Sequence, residues 1–343
     1  MIFSKLQFLF NCRKQILLGA LLITVPLNLA AGGELLPPAA WHAKIEVRVT
    51  PSYKDAFGNG QTKISLKDLL IRNKKVRKRI KGEVTREEKV LEMDLLYSFS
   101  EKWLFSAYIP FLQRKQTSSL FIVNSDSLFI DPELEEMIEK TKENLQSEEQ
   151  QGLADVSLQA AYVFTYTNST FFRGGGRVKL PTGTAGTPYG MLPLAIGDRQ
   201  VDLYGFLHYT ILPPIPGFSH NIRGEFMIQF AGVRKTMEGE EGDYYGGNQF
   251  DLQYTATYEK NNWFYDGGGQ LLLGTGSTIA GEEQNDASAV GKIHADIGYG
   301  NLSDLEKSPL SFPYQIRMGL DIPLQGRNVA NAPSWKLTSI FYF

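Results

Sequence analysis

Cysteine is almost absent: Cys12 is the single one among 343 residues. No disulfide framework and no thiolate zinc cluster can be built on it. Histidine is scarce too, and none of His42, His208, His220 and His294 forms an i, i+2 or i, i+4 ligand pair. Neither sign of charge is in excess. With 35 basic and 37 acidic residues the net charge is −2, which excludes a globally basic nucleic-acid binder. Past the N-terminal region no run of eighteen apolar residues occurs, so no spanning helix is expected there. Walker-type, H-E-x-x-H and G-x-S-x-G motifs are missing as well.

What is present points to β-structure. There are 33 glycines, 21 phenylalanines and 16 tyrosines, residues of turns and of pleated surfaces. At the N-terminus, Lys5, Arg13 and Lys14 precede an apolar run from Ile16 to Leu29 and then Ala30-Ala31-Gly32-Gly33. This order predicts a cleaved signal peptide over residues 1–32. From there period-two alternation repeats down the chain. Trp41, Ala43, Ile45, Val47 and Val49 alternate with His42, Lys44, Glu46 and Arg48. Leu91, Met93, Leu95 and Tyr97 oppose Glu92 and Asp94; Phe250, Leu252 and Tyr254 oppose Asp251 and Gln253. The last segment, Trp335 to Phe343, keeps the same rhythm.

Roughly twelve such segments occur, each near the 9–11 residues that a tilted strand needs to cross a bilayer. Tight turns at Ser100-Glu101-Lys102, Thr167-Asn168-Ser169 and Lys260-Asn261-Asn262 take turns with long connections. Aromatic residues gather beside the tight turns: Tyr97, Phe99, Trp103, Phe105, Tyr166, Phe171, Phe172, Tyr258, Trp263 and Tyr265. The chain thus reads as all-β. It is expected to form a closed antiparallel transmembrane β-barrel of about 12 strands over residues 33–343, with short periplasmic turns and long extracellular loops at 51–88, 113–151, 184–199 and 233–247. Closure follows because unpaired edge groups cannot be left in lipid. Pro51, Pro110, Pro181 and Pro323 are expected to end strands at the long-loop rim. Phe343 suits the C-terminal signal by which bacterial outer-membrane barrels are handed to their assembly machinery.

Two loops carry their own signals. Arg72 to Lys81 is a basic run, read as a solvated loop or as a contact for lipopolysaccharide phosphates. Asp131 to Gln151 predicts an acidic helix capped by Asp131 and Pro132, with Leu134, Met137, Ile138, Thr141 and Leu145 on one face. That face needs a partner in another loop or at the barrel mouth, and the opposite charges of the two loops could pair.

The residues opposite the lipid face carry the chemistry. Lys44, Arg48, Glu92, Asp94, Asp155, Arg173, Arg177, Lys179, Asp202, Arg223, Glu225, Asp251, Asp266, Lys292, Asp296, Arg317 and Asp321 are the candidate lumen groups. None could face lipid, where a charge costs roughly 2–4 kcal/mol at mid-depth. They read either as a salt-bridged filling or as a selective path for solutes. Arg173, Arg177 and Lys179 are expected to face Asp155 and Asp202. A Ser–His acyl-transfer site at His208 or His294 is the remaining alternative. No cofactor or metal and no nucleic acid is expected.

Several segments together resemble a family of outer-membrane proteins, the MetA-pathway of phenol degradation family, whose members are called transporters. The likeness is carried by Leu95-Leu96-Tyr97-Ser98-Phe99 through Trp103 to Tyr108-Ile109-Pro110-Phe111, and by Gly152-Leu153-Ala154-Asp155-Val156. Val178-Lys179-Leu180-Pro181-Thr182-Gly183 and Gln200-Val201-Asp202-Leu203 complete it. The resemblance implies a barrel in the bacterial outer membrane that admits small, often aromatic or hydrophobic compounds. The expectation is an outer-membrane channel or uptake protein in contact with lipid and lipopolysaccharide. The rivals are a lipid-modifying enzyme, hydrolase or acyltransferase, and a sealed structural or surface-binding barrel.

Overall fold

The computed structural model describes residues 40–58, 62–71, 73–123, 131–183, 200–235, 241–279, 281–283, 287–301 and 312–343. The expected signal peptide and the loop at 184–199 lie outside the described residues. The wall consists of β1 (Trp41–Tyr53), β2 (Ile80–Ser98), β3 (Trp103–Ile122), β4 (Glu148–Leu153), β5 (Ser157–Tyr166), β6 (Thr170–Lys179) and β7 (Asp202–Ile211). It continues with β8 (Phe218–Gln229), β9 (Gln249–Lys260), β10 (Trp263–Gly274), β11 (Ser288–Asn301), β12 (Tyr314–Arg327) and β13 (Ser334–Tyr342). Every neighbouring pair is antiparallel, and β1 pairs with both β2 and β13, which closes the ring. β4 and β5 both pair with β3 and share one position in the wall, giving a barrel of twelve strands.

Period-two alternation builds this wall. Val47, Leu91 and Leu337 are register partners on three adjacent strands, and all three are exposed on the outside. Leu252 and Leu271 repeat the arrangement on β9 and β10. The outer apolar face of β10 runs from Trp263 to Leu273, which at about 2.5 Å of height per tilted residue spans roughly 25 Å. Phe99, Trp103, Phe105, Tyr166, Tyr258, Trp263 and Tyr265 stand exposed beside the short turns. Phe171 does not join that girdle. It turns inward and is buried with Leu96, Leu104, Ala161, Val163 and Phe206, because it shares the odd parity of Arg173, Arg177 and Lys179 on β6. Among the described residues no helix is long and apolar enough to cross a membrane.

Three of the four prolines act differently from the expectation, and Pro181 alone follows the end of its strand, at Lys179. Pro51, Pro110 and Pro323 lie within β1, β3 and β12, and none of them ends its strand. Pro110 has no N–H to give, and its neighbour breaks at 154–156, between β4 and β5, where only Ala154 N–H reaches the Pro110 carbonyl (2.8 Å). Pro323 stands opposite Lys292 at a register shift. The missing donors are absorbed by irregularities in the partner strand.

On the long-loop side, β2 and β3 rise well past the apolar belt into stretches read from the sequence as loop, and they carry a small lobe. It contains α1 (Leu66–Leu70), α2 (Lys74–Arg79) and α3 (Pro132–Asn144). Ser65, Asn73 and Asp131 cap the three helices through side-chain oxygens. The apolar face of α3 finds its partner here: Ile138 and Leu145 pack with Leu66, Leu70, Ile71, Val76, Ile80 and Val84. The two loops also pair by charge, through Arg79 and Glu135 at 2.9 Å.

Candidate functional site

The inward parity of the strands brings the candidate charges into one lumen, in three groups set by strand adjacency. On β1 and β2, Glu46 is buried between Lys44 (3.0 Å) and Arg48 (2.7 Å), and Arg48 also reaches Glu92 (3.6 Å). Thr338 of β13 donates its hydroxyl to Glu46 (3.2 Å), and Asp94 stands in register with Lys44. Burying a carboxylate this deep is costly unless cations and a donor surround it, as they do here.

The second group lies on β5 to β8. Lys179 ion-pairs with Asp202 and approaches Asp155 (3.9 Å), whose other oxygen accepts the Gly183 N–H (2.8 Å). This much matches the facing expected from the sequence. Arg177 and Arg173 depart from it. The Arg177 guanidinium crosses the ring of Tyr204 (3.9 Å to its centroid) and ends on Glu225 of β8 (2.5 Å), two strands away. Glu225 also holds Arg223 (2.8 Å). Arg173 donates Nε–H to His208 Nδ1 (3.2 Å), which leaves the imidazole proton on Nε2. An arginine side chain is long enough to pass over one strand, so its partner is not the nearest carboxylate in the register.

The third group spans β9 to β13. Asp251 accepts from Gln253 (2.8 Å) and Gln270 (2.9 Å). Arg317 pairs with Asp266, and Lys336 holds Asp296 and Asp321, both at 3.1 Å. Lys292 sits on the inner face of β11, across from Pro323 of β12.

Rings recur beside these cations. Arg173 lies over Phe171, Arg223 over Phe206 and Arg317 over Phe264, with separations of 5.1–5.8 Å. Sequence reasoning missed Tyr204, Phe206 and Phe264 as lumen residues. The signal was available, since the parity that turns Arg177 and Asp266 inward turns these rings inward too. Guanidinium–ring stacking holds each charge at a fixed place and leaves its hydrogen-bonding edge free for a partner.

The histidines separate. His42 stacks on Tyr342 and His220 bonds the Tyr254 hydroxyl (2.8 Å) on the outer wall. His294 Nε2 is 3.0 Å from the Thr255 hydroxyl. The ring reaches β9 because Gly268, between them on β10, has no Cβ to block it. Among the described residues no carboxylate bonds the other nitrogen of His294, so the third group that orients a catalytic imidazole is missing from this pair. No group of three metal-ligating side chains occurs among the described residues.

The fold matches the crystal structure of the COG4313 outer membrane channel from Pseudomonas putida F1. The TM-score is 0.64 and the identity 13%, with 94% of this chain and 100% of that one covered. The translocator domain of the autotransporter NalP from Neisseria meningitidis is a looser likeness, at a TM-score of 0.43 and 8% identity, covering 90% of each chain. No curated protein matches the sequence. The closed barrel and its lipid-facing belt place the protein in the bacterial outer membrane. The model of one family matches residues 72–301, two thirds of the length, and the chain belongs to that family, described as "Putative MetA-pathway of phenol degradation".

Proposed function

We propose that the protein is a passive channel that carries small solutes across the outer membrane and sorts them by charge at mid-height in its lumen. Aromatic and other amphipathic compounds are the solute class we assign. The observation that carries this reading is the inner wall of β6 to β8, where Arg173, Arg177, Lys179 and Arg223 stand close together and three of them lie over aromatic rings. Such a wall offers a flat solute both a ring face and a charge. A twelve-stranded bore is narrower than that of 16–18-stranded porins, so selection by lumen side chains is physically reasonable. Chemistry on the solute has no part in this reading.

The test is the reversal potential of reconstituted protein under a salt gradient. Arg177→Gln removes one cation and leaves Glu225 to Arg223, so preference should move towards cations. An unchanged reversal potential would reject a selecting role for Arg177. One observation favours a second reading, a sealed barrel that works through its loops: the buried apolar cluster of Leu96, Leu104, Val163, Phe171 and Phe206 fills part of the lumen near the short turns. Zero solute flux through well-folded protein would favour that reading.

A further inference from the structure

We infer that the outer wall carries a headgroup site for a phosphorylated glycolipid of the outer leaflet, formed by Lys89 and Lys115 with Glu87, Gln113 and Glu149. These five residues line a cavity of about 180 Å³. The register places them in two rows on the lipid-facing side. Leu91, Phe111 and Leu153 are partners on β2, β3 and β4, all exposed, and form the last apolar row of the belt there. Two residues up the strands lie Lys89, Gln113 and Gln151; two further lie Glu87, Lys115 and Glu149. At about 2.5 Å of height per residue these rows stand roughly 5–10 Å above the hydrocarbon edge, the depth of lipid phosphates.

The chemistry fits that depth. Lys89 is half exposed, holding Glu87 at 3.0 Å, and Glu149 accepts from Gln113 at 2.7 Å. Lys115 lies between the two carboxylates in its row and is exposed. Ammonium groups attract phosphate, while Glu87 and Glu149 would repel it unless a divalent cation sits between, as Mg²⁺ does when carboxylates and phosphates share it. The site therefore takes a phosphorylated sugar headgroup together with its bridging cation. The exposed lysines of α2, by contrast, precede Ile80, eleven residues above Leu91 and on the order of 25 Å beyond the belt. That is too far for lipid phosphates, so the basic run of the first loop is not the contact.

Native mass spectrometry on protein refolded free of lipopolysaccharide tests this, with bis-phosphorylated and dephosphorylated lipid A as probes in the presence of Mg²⁺. The wild-type chain should hold the bis-phosphorylated form about tenfold more tightly, and EDTA should reduce that preference. Lys89→Gln/Lys115→Gln should lose most of it, whereas Lys74→Gln/Lys75→Gln/Lys78→Gln should keep it. Equal retention of both lipid forms by the wild type overturns the site without any variant. So does an undiminished preference in the Lys89/Lys115 variant, and displacement by inorganic phosphate would show a free-anion site in its place.

Discussion

Arg177 starts on β6, lies across Tyr204 of β7 and ends on Glu225 of β8, so one side chain fixes a charge relative to three strands. Glu225 is shared with Arg223, and its replacement has the opposite sign from that of Arg177. Glu225→Gln leaves two guanidinium groups without their carboxylate, and the reversal potential should move towards anions; movement towards cations would show that other groups set the preference. Gly175 makes a steric claim of its own, because a Cβ there would run into the backbone carbonyl of Ala160 on β5. Backbone atoms in a paired sheet cannot yield easily, so Gly175→Ala should destabilise the barrel by about 1–3 kcal/mol. A urea titration of the folded state would register this as a lower midpoint. At this scale the inward set from Lys44 to Asp321 was legible, since parity alone turns those side chains away from lipid. Partner choice was not. Arg177 prefers Glu225 to Asp202 because of side-chain reach and ring stacking, which a register cannot express.

The lobe above β2 and β3 shows what an amphipathic face demands. α3 presents Ile138 to a core shared with α1 and α2, and Ile138 is fully buried. Ile138→Ala should loosen the lobe by about 2–5 kcal/mol while the barrel stays intact. Faster amide exchange centred on residues 66–84 and 132–145 would register it, and exchange spreading down β1 to Trp41–Val49 would contradict a lobe core of its own. Asp68 adds a pH dependence outside the membrane. Burial pushes its carboxyl up, but hydrogen bonds from Lys67 and Ser65 and the charges of Lys67 and Arg77 outweigh this and hold it below the usual 3.8. A depressed carboxyl stabilises the fold above its unfolded value and loses that contribution as pH falls through the folded one. The protection of the α1 and α2 amides, taken relative to free-peptide exchange at the same pH, should therefore fall as pH drops below about 3.8, and Asp68→Asn should flatten the dependence. The helix α3 could be read from its caps and apolar spacing. Its partners could not, because α1 and α2 have five and six residues, too few to display a periodic face.

For the whole molecule, twelve strands close because β1 meets β13 on one edge and β2 on the other, leaving no ladder unpaired in lipid. An apolar exterior and a charged interior follow from a single alternation, which is why the architecture could be read from the sequence so fully. The loop bounds could not, since β2 and β3 keep strand form for 19 and 20 residues, beyond any membrane requirement and with polar outer faces that carry no alternation. On our proposal this interior is a path for solutes. Swelling of liposomes containing the wild-type chain reads that passage. Vesicles in isotonic small charged aromatic solutes should swell faster than protein-free vesicles, and those in large oligosaccharides should not. Folded barrels that leave every swelling rate at the protein-free level would show that the interior passes no solute.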